Sequence, residues 1–584
     1  VTERIVELQG SAAIPEAQHR IEPTSQSTLD EALAILKDHK QEWAALAIDE
    51  RIELLEEVRA GVVEVAESWV RSAVEAKGLT FGTGEEGEEW MAGPATTLRN
   101  IALLIASLRD IEEHGVPQLP KPASARPDGQ VVAPVLPANV WDRVLFQGFT
   151  AEVWMQPGVT LENLTENQAA FYRENGPKGR VALVLGAGNV ASIGPMDALY
   201  KLFVEGQVVL LKMNPVNEYL GPFVDQAFAA LRERGFFRLV YGGAAEGDYL
   251  CRHQLVEEIH VTGSDKTHDA IVFGMGEEGK QRKSNGNPRN SKRLTCELGN
   301  VSPIIIVPGP WSDKDLDFHG VNIASSVVNN AGFNCTATRV IVQHEQWGKR
   351  EALLASVKKA FQRAADRRPY YPGAHERQQR FLEHHPQADL FGPQGDGHVP
   401  WTLIHHLDPS DPDEICFNIE SWCGQTSEVA LPADSVVDYI DKAVAFCNDR
   451  VWGTLACSIF VHPKSLKDPR VSEAVDRAIA KLRYGGIAVN HWAGLNFALG
   501  ATTWGAFPGH AKEDIRSGQG VVHNTYMFDR PQKAVVRGPF RVFPRPAWFI
   551  DNKTAAEVGR KMTYFNADPS MARLPGLVWS SLFG

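Results

Sequence analysis

The chain lacks several features that mark whole classes of protein. It contains no run of 18 apolar residues, which argues against a membrane-spanning helix. Its opening residues, Val1-Thr2-Glu3-Arg4-Ile5, lack the basic-then-apolar layout of a secretory signal. Cysteine is scarce and odd in number, seven in 584 residues, so a disulfide framework is not expected and a reducing cytoplasm is. Basic residues are outnumbered, 59 Lys and Arg against 72 Asp and Glu, for a net charge of -13. That balance argues against nucleic acid and anionic membranes as partners. There are no internal repeats and no low-complexity domain. The doublets His384-His385 and His405-His406 lack ligand spacing and flanking cysteines, so no metal site is expected.

What is present is an ordinary globular composition, 43% hydrophobic and 22% charged, in a chain too long for one core. Two or three domains are expected. Residues 1–26 are polar and aperiodic and read as an extended arm. Thr28-Leu29-Asp30-Glu31 matches a capping box that starts a helix. From about Asp49, Leu55, Val58, Val62, Val65 and Trp69 recur at helical spacing, and Gly78 ends the pattern. A further amphipathic helix is predicted over Thr97 to Glu113. The proline-rich stretch from Pro117 to Pro137 reads as a surface crossing.

From Arg180 onward, short apolar runs alternate with helical stretches. Val181 to Leu185, Gln207 to Lys212, Ile259 to Thr262 and Pro303 to Val307 read as strands, and Gly221 to Arg234 as a helix. A second such region runs from about Leu316 to Phe507, with strands at Arg339 to Gln343, Glu428 to Leu431, Ser458 to Val461 and Gly486 to Val489. Alternation of this kind implies an α/β protein with parallel sheets. The polar segment Gly276 to Asn290 reads as an exposed loop.

Three segments carry chemistry. In Asn330-Ala331-Gly332-Phe333-Asn334-Cys335-Thr336, a glycine-containing turn precedes a cysteine, where a sulfur can be exposed among backbone N–H groups. In Thr295-Cys296-Glu297-Leu298-Gly299, a glutamate ends a strand and is followed by glycine, so it can face a cleft. In Leu185-Gly186-Ala187-Gly188-Asn189, a strand enters a tight turn. The last also fits a dinucleotide fingerprint, Gly186-x-Gly188-x-x-Ala191. Under that reading an acid should end the next strand, and Lys212-Met213-Asn214 stands there instead.

In this order the three segments resemble the aldehyde dehydrogenase superfamily over roughly Trp43 to Asn524. The resemblance implies Cys335 as nucleophile, Glu297 as general base and the Asn189 amide as oxyanion donor, with the Cys335 N–H beside it. It implies NAD or NADP as cofactor, held by Lys212, Asn214, Gly263, Ser264, Glu420 and Trp422. Three positions depart from the family pattern: Pro215 replaces the usual glutamate after the lysine, Asn300 replaces the second glycine after Glu297, and His268 replaces a glycine after the cofactor turn. Because Pro215 removes a carboxylate that would repel a 2′-phosphate, weak discrimination between NAD and NADP is expected, with NADP usable and even preferred.

The implied organisation is a Rossmann-type cofactor domain (1–147 and 168–297), an α/β catalytic domain (298–507), a β arm (148–167 and 508–545) and an extension of no assigned role (546–584). The family resemblance further implies a homodimer or homotetramer in which arm strands extend a neighbour's sheet. The substrate class that the resemblance implies is a small-molecule aldehyde. An acyl-CoA-forming enzyme and a non-catalytic binding protein are the alternatives. Cys296 and Cys423 are read as packing residues or as neighbours of the site, not as its nucleophile. Phe333, Trp492, Trp504 and Phe507 suit either a substrate tunnel or the core. A thiolate is needed for attack, so Cys335 is expected in surroundings that lower its pKa.

Overall fold

A computed structural model describes residues 9–395 and 397–584. Residues 1–8 of the expected arm lie outside the described residues. The strands read from the sequence are present, shifted by a residue or two at most ends. They are Val181–Leu185, Val208–Lys212, Glu258–Gly263, Ser302–Ile306, Thr338–His344, Gln425–Leu431, Ala456–Phe460 and Gly486–Val489. All are largely buried, as a parallel sheet covered by crossover helices requires, and Glu258–Gly263, Thr338–His344 and Gln425–Leu431 bury polar residues among their apolar ones.

Two large sheets organise the fold. The six-stranded sheet runs Gly518–Gln519, Arg293–Leu298, Glu258–Gly263, Val181–Leu185, Val208–Lys212, Phe237–Val240. Its last five strands are mutually parallel. Strand order reverses beside Val181–Leu185, and crevices open at the carboxyl ends of strands at such a switch point. The eleven-stranded sheet has Ser302–Ile306 near its centre, between Thr338–His344 and Ala456–Phe460. Leu298, next to Glu297, ends one strand and Ser302 begins the other sheet's, so Gly299-Asn300-Val301 joins the carboxyl edge of the first to the amino edge of the second.

The expected arm sits differently. Its strands Thr150–Met155 and Pro531–Arg537 pair with each other, and Pro531–Arg537 lies parallel to Gly486–Val489 of the same chain. The large sheet is thereby continued within one chain, and no neighbour's edge is needed to pair this strand. The proline-rich crossing also holds a strand, Val131–Leu136, almost wholly buried beside Thr150–Met155. Pro134 is tolerated there because strand pairing is interrupted by a register shift just beyond it.

Helix boundaries show which local signals were decisive. The first long helix is Gln26–Ala45, capped by Ser25, whose hydroxyl accepts from the Thr28 N–H. Thr28 is therefore inside the first turn and is not the cap. The next helix is Ile48–Lys77, closed by Gly78 at φ 66°. The third is Thr96–His114. Gly221 to Arg234 is two short helices, broken at Phe228. Gly276–Ser284 is a helix and not a loop. Its stability comes from Glu277 and Glu278 in the first turn, Arg282 and Lys283 in the last, and a Glu278–Arg282 pair at 2.6 Å. None of these leaves an apolar periodicity to detect.

The extension forms two helices, Ala555–Ala567 and Leu574–Leu582. The first docks on Gly84–Trp90 at backbone distance. A Cβ on Gly559 would fall 2.7 Å from the Trp90 Cβ, and one on Gly87 2.5 Å from the Ala555 carbonyl carbon.

Candidate active site

Cys335, Glu297 and Asn189 line one cavity of about 560 Å³. The cysteine is placed by an unusual turn. Asn330, Ala331 and Gly332 take φ of 53°, 56° and 81°, three left-handed residues in succession. A Cβ on Gly332 would sit 2.6 Å from the Cys423 backbone, so only glycine suits that position. Buried Arg339 donates to the carbonyls of Gly332, Cys423 and Gln425 and ties the turn to the neighbouring strand. The Ser302 hydroxyl donates to the Cys335 carbonyl at 3.1 Å.

Glu297 is buried, and its Oε1 has no hydrogen-bond partner. Burial pushes its pKa up to about 8, and the nearby Asp197 and Glu420 carboxylates add to this. Cys335 does not meet the expectation of a lowered pKa. Burial first, and then the facing Glu297 carboxylate, raise its thiol well above the usual value, while its own N–H favours the thiolate. The pair thus rests uncharged at neutral pH.

Asn189 Nδ2 donates to the Phe333 carbonyl at 3.0 Å, which holds the amide against the cysteine turn. The Asn189 carbonyl accepts from Lys77 Nζ, Asn330 Nδ2 and the Tyr370 hydroxyl. Lys77 also pairs with buried Glu89 at 2.7 Å. The sequence reading missed Lys77, Glu89 and Tyr370 altogether, since each lies in an ordinary helix or loop and only the fold brings it to the turn. It also missed Asp197, held ionised with a pKa of about 2. Desolvation works against the charge there, and His260 and His523 at 3.4 and 3.2 Å outweigh it.

The proposed cofactor residues lie outside that cavity's lining. Lys212 ends its strand, is buried, and has a pKa depressed to about 8 by desolvation, with Glu246, Glu16 and Glu218 acting the other way. Ser264, next to Gly263, caps the helix Asp265–Val272. Glu420 is buried, accepts from the Asn300 N–H at 3.1 Å, and has a pKa raised to about 7 by burial. Trp422 stands at φ 45° with its ring against Tyr371 and its indole N–H unpartnered. Asn214 accepts from the Val216 N–H and abuts Gly188, so it supports the Asn189 turn.

A lysine donor, a capping hydroxyl and a buried acceptor carboxylate are the groups a dinucleotide needs. Yet the chain's own N-terminal segment runs between them. Gly10–Ser11 pairs in parallel with Ile419–Glu420. The Ser11 N–H donates to Asp265 at 2.9 Å, and Lys266 donates to the Ser11 carbonyl. Glu16 accepts from the Ala244 N–H at 2.8 Å, beside Lys212. Glu218 accepts from the Arg20 and Ile21 N–H groups. The residue types fit a dinucleotide, and residues 10–21 are bonded to the elements that carry them.

Cys296 and Cys423 are fully buried, as read. Trp492 and Trp504 line the cavity, while Phe333 packs on Tyr370 and Tyr371, and Phe507 faces Lys533. His385, Glu414 and Cys416 form a trio whose ligand-type atoms lie within 4.8 Å. Glu414 is already paired with His385 at 3.0 Å and capped by the Cys416 N–H. Among the described residues no helix is long and apolar enough to cross a membrane.

Residues 145–374 match the model of the Aldehyde dehydrogenase family. A 4-trimethylaminobutyraldehyde dehydrogenase of Bos taurus is 33% identical over 113 residues, 19% of each chain. An NADP-dependent glyceraldehyde-3-phosphate dehydrogenase of Streptococcus equinus is 27% identical over 199 residues, 32% of this chain and 38% of that one. This chain thus spans only about a fifth to two fifths of the length of these curated relatives. In fold the likeness is wider. A Bacillus halodurans NADP-dependent glyceraldehyde-3-phosphate dehydrogenase complexed with NADP aligns with TM-score 0.57 and 16% identity, over 88% of this chain and 92% of that one. A Sinorhizobium meliloti NAD-dependent aldehyde dehydrogenase aligns with TM-score 0.58 and 16% identity, over 92% and 95%. Residues 145–374 thus match the aldehyde dehydrogenase family, the chain as a whole has the fold of these dehydrogenases, and Cys335, Glu297 and Asn189 line one cavity inside it.

Proposed function

We propose that the protein oxidises an aldehyde to a carboxylic acid with NAD or NADP, through a thioester on Cys335. The observation that carries this is the unpartnered Glu297 oxygen beside the Cys335 thiol, in one cavity with Asn189. Glu297, with a pKa near 8, takes the proton as the Cys335 sulfur adds to the carbonyl carbon. The carbonyl oxygen becomes an oxyanion, for which the Asn189 amide and the Cys335 N–H are the nearby donors. When bound, an oxidised nicotinamide supplies the hydride acceptor. After the thiol proton has passed from Glu297 to solvent, the carboxylate removes a proton from water, and the hydroxide attacks the thioester and expels the Cys335 thiolate. Lys212 offers donors to ribose hydroxyls and Glu420 an acceptor.

A base poised beside the sulfur favours hydrolysis over acyl transfer to CoA. The test is a panel of aldehydes assayed for reduced nicotinamide at saturating NAD or NADP, with and without CoA. Turnover without CoA is expected, with the acid as product. A strict requirement for CoA sinks the hydrolytic reading.

The same assay reads cofactor choice. Pro215 leaves no carboxylate at its own position, but Glu246 and Glu218 act on Lys212 from neighbouring elements. Attraction by the lysine and repulsion by these acids oppose each other at a 2′-phosphate. The kcat/KM values for NAD and NADP are therefore expected to differ by less than about 100-fold. A larger preference in either direction contradicts this balance.

A further inference from the structure

We infer that the C-terminal segment from Phe543 onward is the substrate-selecting wall of the cavity, and that the site takes an uncharged, apolar aldehyde. This deepens the reading of Cys335 as nucleophile and rests on it. Phe543, Ala547, Trp548, Val558 and Met562 line the cavity together with Trp492, Phe497 and Trp504. The helix bearing Val558 and Met562 is held in place by the Gly87–Gly559 approach and by Asn566 Nδ2 donating to the Ala95 carbonyl.

Every Asp, Glu, Lys or Arg on the cavity wall except Glu297 is already paired. Glu88 binds Arg367 at 2.9 Å, Arg99 binds Asp142 at 2.8 Å, Arg541 binds Asp315 at 2.9 Å and Arg545 binds Asp551 at 2.8 Å. A charged substrate would have to break one of these pairs or go unpaired in an apolar site. At roughly 30 Å³ per water-sized group, 560 Å³ admits a chain well beyond two or three carbons.

The experiment compares kcat/KM for propanal, hexanal, decanal, an anionic semialdehyde and a trimethylammonium aldehyde. Decanal is expected to exceed propanal by at least about 100-fold, since each buried methylene favours binding. Both charged aldehydes should fall below hexanal. Met562→Trp should lower the decanal-to-propanal ratio at least about tenfold, with Ala547→Leu as a second variant from the same segment and circular dichroism as the check on folding. Preference for a charged aldehyde, or a ratio that neither folded variant moves, overturns the inference. If no aldehyde yields reduced nicotinamide, the reading of Cys335 fails instead.

A separate observation carries a second inference: the segment from Gly10 to Ile21 is an internal strap that a dinucleotide must displace. It reaches from Glu420 to Lys212, the residues assigned to opposite ends of the cofactor, and takes up polar groups along the way. Gly10 sits at φ 120°, with Asp265 2.3 Å from where its Cβ would lie. Gly10→Val together with Glu16→Ala should therefore unseat the strap without altering Lys212 or Glu420. NAD and NADP binding, followed by calorimetry, should tighten at least about tenfold when the blocked state is removed. In the wild type, hydrogen exchange at Ser11, Arg20 and Ile21 should accelerate on adding saturating NADP. Equal affinity in both proteins with these amides still protected overturns the strap. Absence of binding in both, with both folded, sinks the dinucleotide reading itself.

Discussion

Cys335→Ala is expected to lower turnover by about 10⁴-fold or more while leaving dinucleotide affinity within about threefold. The two effects separate because the sulfur lies in the cavity beside Glu297 and Asn189, whereas Lys212 and Glu420 are not part of its lining. The substitution removes one half-buried atom and leaves the turn intact, since Asn330, Gly332 and Arg339 hold it by backbone contacts. Cys296→Ala and Cys423→Ala should keep substantial activity, because both thiols are sealed in the core and raised in pKa by burial. Steady-state assays and calorimetry on the three variants decide the matter. Normal turnover in Cys335→Ala, or loss confined to one of the other two, would place the nucleophile elsewhere.

Glu297→Gln should cut steady-state turnover by about 10²- to 10⁴-fold, the usual contribution of a general base. At alkaline pH, where some Cys335 ionises unaided, rapid mixing should still give a burst of reduced cofactor approaching one per site, with the acyl group detectable by intact mass. Near neutral pH the burst should be slower than in the wild type, because the glutamate also accepts the thiol proton. The sign of the pH dependence follows from the raised pKa. Below about 8 the wild-type carboxyl is largely protonated and cannot act as a base, so kcat/KM should rise with pH through that value and then level off. The glutamine variant should lose this limb and retain only the thiol's, at higher pH. A wild-type profile flat from pH 6 to 9 would contradict the buried carboxyl as base.

The strands, the crossover helices and the three motif segments were readable in the sequence because each is a local pattern. A buried parallel strand is an unbroken apolar run, as in Val208–Lys212. A left-handed cap needs glycine, as at Gly78. The turn before the cysteine places a glycine directly before Phe333-Asn334-Cys335 within one short string, and a Cβ on Gly332 would clash with the Cys423 backbone. Ser25 and Thr28 show the limit of such signals: both residue types can cap a helix, and it is the Ser25 hydroxyl that accepts from the Thr28 N–H.

What tertiary structure alone decided is what depends on groups distant in the chain. The raised pKa of Cys335, opposite to expectation, comes from burial and from Glu297, 38 residues earlier in the chain and brought opposite only by the meeting of two sheet edges. The arm strand Pro531–Arg537 found its partner in Gly486–Val489 of its own chain, which no hydrophobic pattern specifies because any parallel edge offers the same hydrogen bonds. The polar N-terminal stretch has no periodicity of its own, and its contacts with Glu420, Asp265 and Ala244 are made by backbone groups common to every residue. The extension became a cavity wall through the approach of Gly87 to Ala555 and of Gly559 to Trp90, a fit of shapes. Sequence patterns report what a residue needs from its neighbours along the chain; burial, pairing and the lining of a cavity are set by residues that only the folded chain brings together.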